Sequence, residues 1–505
     1  MERRWWTLVL ISTATFMLLL DITVVNVALP DIQRELNASL SSLQWVVDAY
    51  SLTLAAFLLT AGSLGDRLGR RRVFTLGFAL FTFASFLCGI AGDPTLLNLA
   101  RGLQGVGGAA MFATSLALIG QEFHGKDRAT AFGVWGATVG GAVAIGPLVG
   151  GLITEHLGWE WIFFVNIPIG ITAIVLTERK IANVVSPDPE PVDLPGLVTF
   201  SSALFLLIFG LIRGNPEGWG SPLILACLGG AAALLIGFVA IEARSAHPML
   251  DLTLFRKPAF NGVSAVAFGL SAGMFAMFLY LTIYMQGVLD FSPLEAGLRF
   301  LPLTFLSFIA SPIAGTLSHK VPIRILLGLG LGLVGVGLLL MHGVTADSEW
   351  TALLAGFLIA GVGIGVTNPG IGQAAIAVVP VEKSGMGSGI NTTFRQVGIA
   401  TGIAALGAVF QSRVDSELSK LLPNAPDGLG ELVASGGSRA AATVASGPEK
   451  TQIIDAANTA FVSGFNEIIL IAAVLSFVGA ALGFFLVRSR DFVQPTDGPA
   501  EPSVG

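Results

Sequence analysis

About fourteen apolar stretches, each long enough to cross a bilayer, fill this chain almost end to end. They lie near residues 6–29, 44–64, 73–91, 96–119, 129–153, 161–177, 194–212, 221–241, 260–286, 295–317, 323–341, 350–378, 386–410 and 461–487. A span needs about 20 mostly apolar residues to cross about 30 Å of hydrocarbon, so little chain is left for a soluble domain. Backbone in lipid must satisfy its own hydrogen bonds, which makes each stretch a helix. Charged residues are only 12% of the chain and apolar ones 53%, far from the balance of a soluble domain. The expectation is an all-α polytopic membrane protein, retained in the cell membrane.

The same composition excludes several functions. A net charge of -6 over 505 residues offers no footprint for nucleic acid. Cys88 and Cys227 each fall inside a span, so no disulfide framework is implied. The histidines show no metal-ligand spacing, and no phosphate-binding Gly-x-x-x-x-Gly-Lys-Ser/Thr segment is present. No cofactor and no metal are expected. The partners are a small-molecule substrate, protons and the lipid bilayer, with the chain functional as a monomer.

Lys and Arg set the orientation. With the N-terminus inside, 18 of the 27 basic residues fall in inside segments and six in outside ones. That bias fits the positive-inside rule, and an even span count puts both termini in the cytoplasm.

Three blocks emerge along the chain. Residues 1–180 hold six spans. Residues 181–257 form a linker, opening with Pro187, Pro189, Pro191 and Pro195, and carry two nearly uncharged spans expected to be peripheral. Residues 258–490 hold six more spans with an outer loop at 411–460, and 491–505 read as a disordered cytoplasmic tail. The two blocks of six repeat one segment at the same place. Gly62-Ser-Leu-Gly-Asp66-Arg67-Leu-Gly69-Arg70 closes the second span, and Gly315-Thr-Leu-Ser-His319-Lys320 closes its counterpart. Repeated halves mark transporters.

Four segments carry a resemblance. They are Gly62–Arg72, Leu20-Asp21-Ile-Thr23-Val-Val-Asn26-Val-Ala-Leu-Pro30, Arg101-Gly-Leu-Gln104-Gly105-Val-Gly107-Gly108, and Gly141-Ala-Val-Ala-Ile-Gly146-Pro147-Leu-Val-Gly150-Gly151. In this order they resemble the major facilitator superfamily, and within it the fourteen-span drug:proton antiporters. The resemblance implies two six-helix bundles with two extra helices between them, fourteen transmembrane helices in all. It implies that Asp66 meets the N-terminal end of the helix starting near Gly385–Gly389, latching an inner gate. Gly62, Gly65, Asp66, Arg67, Gly69, Arg70, Gly146, Pro147, Gly150 and Gly151 are then the conformational-switch candidates. It also implies that the fifth-span segment seals the transporter and separates antiporters from symporters.

Physical reasoning bears on the same residues. Gly133, Gly136, Gly140, Ala144, Pro147 and Gly151 recur at steps of three or four, a small-residue stripe that admits a close neighbour. The stripe serves tight packing, a conformational switch, or both. An ionisable residue inside a span is expensive and is a functional candidate by default. Asp21 and Arg101 fall at similar depth in the outer half, which makes them the proton-coupling pair or a static ion pair. Asn26, Asp48, Gln104 and Arg395 are cavity or substrate candidates; Arg299 is a further charge placed within a span. Asp127 or Glu122 could join Arg70 at the inner surface.

The function expected is a proton-coupled exporter of small lipophilic compounds working by alternating access, and not an enzyme. An importer of a small solute is the alternative. A membrane-embedded enzyme or sensor would need a catalytic constellation or an output domain, and neither is visible.

Overall fold

The computed structural model describes residues 2–36, 38, 40–182, 192–380, 383–423, 428–442 and 449–492. Most of the Pro-rich linker and the tail from 493 onward therefore lie outside the described residues. Regular structure among those described is helical. The long helices are α1 (Arg3–Glu35), α2 (Leu40–Leu68), α3 (Arg70–Gly89), α4 (Pro94–Glu122) and α5 (Gly125–Leu157). Then follow α6 (Trp161–Lys180), α7 (Leu194–Glu217), α8 (Pro222–Glu242) and α9 (Pro258–Val288). A short helix, Pro293–Arg299, leads into α10 (Leu301–Leu317), and α11 (Ile323–Met341), α12 (Leu354–Ala377) and α13 (Ser384–Leu421) complete the inner set. Finally α14 (Leu429–Ala442) and α15 (Glu449–Leu486) close the chain.

Twelve of these helices are long and apolar enough to cross a membrane, so the protein is multi-pass. Two of the fourteen expected stretches stand outside that count: α5, and α10 with its 17 residues. Local chemistry starts several helices. Asp93 caps α4 through Thr95 and Leu96, with Pro94 at the first position. Ser292 and Glu295 form a capping box ahead of α10. Gly69 holds φ at 99°, in the left-handed region, which makes the sharp turn between α2 and α3.

Helices α1–α6 pack on one another, as do α9–α13 with α15. Each group has its own apolar interior. In the first it centres on Phe74, Phe78, Phe112 and Trp135, in the second on Met274, Tyr284, Phe357 and Phe465. Glycine sets the spacing between helices. At Gly363 an added Cβ would lie 2.6 Å from the Gly330 carbonyl oxygen, so α11 and α12 touch backbone to backbone. The pair α7–α8 packs mainly on itself and turns much apolar surface outward. It still docks on both groups: Ser201 bonds Thr60 of α2 at 2.8 Å, and Asn215 donates to the Ala404 carbonyl of α13 at 3.1 Å.

The outer segment at 411–460 differs from the loop expected. α13 runs on to Leu421, α15 begins at Glu449, and α14 packs between them. Val414, Leu418, Leu429, Val433, Ala457 and Phe461 bury together and extend the second group's core. These apolar positions give the segment its own packing, which the Pro and Gly signals around it obscured. Arg299 is also placed differently. It ends the short helix before α10, stacks on Phe291 at 3.4 Å and donates to the Glu295 carbonyl, so it lies at a junction rather than within a span.

Gly363→Val is expected to lower stability by about 1–3 kcal/mol through overpacking. The readout is the thermal midpoint in detergent. Gly332→Val, where nothing lies within 4 Å of the added Cβ, should leave the midpoint unchanged.

Candidate functional site

The first site lies where the two groups meet. α2 and α13 approach so closely that a Cβ on Gly62 would sit 2.3 Å from the Gly385 carbonyl oxygen, and one on Gly389 would sit 2.9 Å from Leu59 Cα. This contact sets Asp66 against the start of α13. Its Oδ1 accepts the Gly385 N–H at 2.9 Å and its Oδ2 the Met386 N–H at 2.8 Å. The opening turn of a helix has N–H groups without internal partners and carries partial positive charge. The carboxylate satisfies both needs from the other half of the molecule. Arg70 holds it from behind, donating to Oδ1 through Nε and Nη2 at 3.1 and 3.0 Å, and reaches Gln121 of α4 at 3.3 Å. Arg67 turns away and donates to the carbonyls of His247 and Pro248 at 3.0 and 3.2 Å. Gly65 packs on Thr114, where a Cβ would meet the methyl at 2.9 Å. Asp127 pairs with Arg4 at 2.6 Å.

α5 divides its small residues between two neighbours. Gly133 and Gly136 face α10, where added Cβ atoms would meet Pro312 and Ser311 at 2.8 and 2.2 Å. In return, a Cβ on Gly315 would lie 2.5 Å from the Ala129 carbonyl oxygen. Gly146 and Gly150 face α1 instead, against Thr23 and Val24, and nothing lies within 4 Å of a Cβ at Gly151. The stripe read as one face is thus split: its inner part joins the two groups and its outer part packs within the first. The side chain of Pro147 is outside the described residues.

The second site is enclosed by the first group. Arg101 Nη1 reaches Asp21 Oδ2 at 2.5 Å, and both side chains are 1% exposed. Gln104 receives a bond from Arg101 at 2.6 Å and donates to Asp21 Oδ1 and Ser85 at 2.9 Å each. Asn166 donates to Asp21 Oδ1 at 3.4 Å. Arg101 also donates to the Val46 carbonyl at 2.9 Å and stands 4.4 Å over the Tyr50 ring. Helices α1–α4 and α6 therefore share one polar network. Asp21, Arg101 and Gln104 sit inside the helix group, where Gln104, expected as a cavity or substrate candidate, bonds the Asp21–Arg101 pair instead. A narrow void lined by Leu20, Val149, Ile153 and Ile162 reaches Asp21 and Asn166 from the α5 side. Ser85 and Asn166 escaped sequence reasoning because an isolated Ser or Asn in a span carries no signal without its neighbours.

Arg395 lies on α13, nine-tenths buried, with its guanidinium 5.7 Å over the Phe275 ring. No carboxylate pairs with it among the described residues. Asn391, one turn earlier on the same face, has an amide nitrogen without a partner. Asp48 lies half-buried near the outer end of α2, where the charge of Arg213 from α7 acts on it. The side chain of Asn26 is outside the described residues.

Two packed helical groups, joined by a carboxylate on a helix N-terminus, have the architecture of a membrane transporter. The chain belongs to the Major Facilitator Superfamily, whose family model matches residues 11–403. It is 31% identical to a tetracenomycin C resistance and export protein of Streptomyces glaucescens, over 99% of this chain and 95% of that one. It is 38% identical to a puromycin resistance protein of Streptomyces alboniger, covering 81% of this chain and 82% of the other. A multidrug efflux pump of Mycolicibacterium smegmatis is 32% identical, with 95% of each chain covered. Among solved structures, the proton:xylose symporter XylE superposes with a TM-score of 0.64 at 12% identity, over 96% of each chain. The human organic anion transporter TETRAN gives 0.60 at 13% identity, over 94% of this chain and 99% of that one. At these identities the two structures bear on fold alone.

Arg101→Ala is expected to cost about 3–5 kcal/mol, because it leaves Asp21 charged and buried without its cation. Replacing Asp21 and Arg101 together by alanine should cost less than the two single changes combined. Arg101→Lys should recover only part of the loss, since a point charge does not replace the planar fork. Unfolding by denaturing detergent, run as a double-mutant cycle, checks all three.

Proposed function

We propose that this protein is a proton-coupled exporter that moves small lipophilic compounds out of the cell by alternating access. The observation that carries the reading is the Asp66 clasp on α13. It holds the two halves together on the face that the basic residues assign to the cytoplasm, the closure an exporter needs while it discharges outward. The glycine contacts between α5 and α10 lie on the same inner side and break with it. Support for export comes from the relatives, whose names speak of export, efflux and resistance.

On this reading fourteen helices cross the membrane, α5 and α10 included, with both termini in the cytoplasm. Helices α1–α6 and α9–α13 with α15 are the moving bundles. Asp21 carries the proton. Three side chains donate to its carboxylate, so a proton needs an opening to reach the acceptor site that remains on Oδ2. Rearrangement of α1 against α4 and α6 as the halves rock provides that opening. Arg395 and Asp48 face the substrate path.

Inside-out vesicles test direction. An exporter takes up a fluorescent drug into them when a proton gradient, acid inside, is imposed; release on the same gradient would mean import. Asp21→Asn is expected to abolish gradient-driven uptake and substrate-induced proton release, while exchange without a gradient persists. Unchanged proton release would move the proton site elsewhere, Asp48 next. Asp66→Asn should cut the transport rate about tenfold or more, with expression and substrate binding retained, since the lost charge-assisted bonds act in switching. Single cysteines at Gly92 and Asp347, in a chain lacking Cys88 and Cys227, should label from outside intact cells, and one at Ser245 should not.

A further inference from the structure

The accessory helices carry an acidic pair, Asp193 half-buried and Glu242 buried, that the transport scheme above does not use. Asp193 caps α7, its Oδ1 accepting the Gly196 N–H at 2.8 Å. Glu242 ends α8, only 4% exposed, its Oε2 accepting the Leu250 N–H at 3.3 Å. In each residue the second oxygen is shut off from solvent and has no hydrogen-bond partner among the described residues. Both orphan oxygens border one gap beside Gly196. A Cβ there would lie 2.6 Å from Glu242 Oε1 and 2.9 Å from Asp193 Oδ2. Two ionised carboxylates facing one another in such a gap repel without water to screen them. A single proton removes the repulsion by leaving one negative charge at the gap.

The pair is tied to the inner gate by a short chain of contacts. Glu242 Oε2 fixes the far end of the loop 243–250 through Leu250. That loop presents the His247 and Pro248 carbonyls to Arg67. Arg67 adjoins Asp66, which holds α13. The positive charge of Arg67 is near enough to act on Glu242. Other charged groups nearby are Arg244 and His247, exposed on the loop, and the Asp251–Lys383 pair at 3.7 Å beyond its end.

We propose that Asp193 and Glu242 share one proton at the cytoplasmic face and that losing it loosens the inner gate. The proposal rests on the reading of Asp66 as a latch. With the proton in place the pair carries one negative charge, and Arg67 stays on the loop carbonyls. Release of the proton to cytoplasmic water breaks one O–H bond and leaves two negative charges facing Arg67. The guanidinium is drawn off the carbonyls toward them, and the turn that carries Asp66 moves with it. The accessory pair thereby senses cytoplasmic pH, and an acid cytoplasm keeps the pump closed inward.

The experiment places a single cysteine at Ser384, fully buried in the closed gate, in a chain lacking Cys88 and Cys227. A membrane-impermeant maleimide is applied to inside-out vesicles. In the otherwise unchanged protein, labelling should rise about fivefold or more from about pH 6 to about pH 8, after correction for maleimide chemistry on free cysteine. Glu242→Gln and Asp193→Asn, each removing the shared proton, should flatten that rise, and His247→Asn should leave it intact. Asp66→Asn should label fast at every pH. If Asp66→Asn labels fast but the parent protein shows no pH dependence, the shared proton is refuted while the latch stands. If Asp66→Asn labels slowly, the latch fails and this proposal with it. A pH response abolished by His247→Asn would assign it to the imidazole and overturn the proposal. Should either amide variant fold poorly, infrared titration of the parent decides: a protonated carboxyl band that survives in the other amide variant also overturns it.

Discussion

Asp66 is the charged tie between two halves that each keep an apolar core and share a third one across α2 and α13. Asp66 belongs to the last turn of α2, yet both its oxygens are taken by N–H groups at the start of α13, more than 300 residues later. The bond is strong because charge meets unsatisfied donors. It is also easily broken, because it lies at the end of a helix and at the surface of the membrane region. The glycines around it serve this one contact. Gly62, Gly385 and Gly389 let α2 and α13 close to backbone distance, and any side chain there would hold Asp66 off its partners.

Two clusters of buried polar groups, one in each half, differ in how far they are satisfied. In the first, Asp21, Arg101, Gln104, Ser85 and Asn166 complete one another. In the second, Asn368 has neither amide atom paired, and Asn391, Ser388 and Thr393 each leave a polar atom without a partner among the described residues. Arg395 lies on the same helix as the last three. A closed network fixes one arrangement of helices, and an incomplete one leaves donors for something that comes and goes. That contrast fits a first half that handles the proton and a second that handles the substrate.

Much of this was legible in the sequence. Runs of apolar residues located the helices, since lipid allows few other structures. The Gly62–Arg72 segment pointed to Asp66 through the family that it resembles. What stayed hidden depends on partners from distant segments. Equal depth in the membrane said that Asp21 and Arg101 could meet, but not whether they face a cavity or a helix-bundle interior. The small-residue stripe on α5 read as one face, and the helix uses it for two neighbours. Asp193 and Glu242 stand just outside the nearly uncharged stretches of their helices, and nothing in their local sequence singles them out. Only the fold brings their free oxygens to one gap.

The length of α13 has a consequence of its own. Its 38 residues form one continuous helix, about 57 Å long at 1.5 Å per residue. Asp66 bonds its first turn, and its last turns are bundled with α14 and α15. A helix this long acts as a lever: tilting it by about 10° about its inner end carries the outer end through roughly 10 Å. Under the proposed function, the lobe at its far end is the long arm of the gate. A binder that clamps it would feel, and could arrest, events on the far side of the bilayer without ever entering the cell.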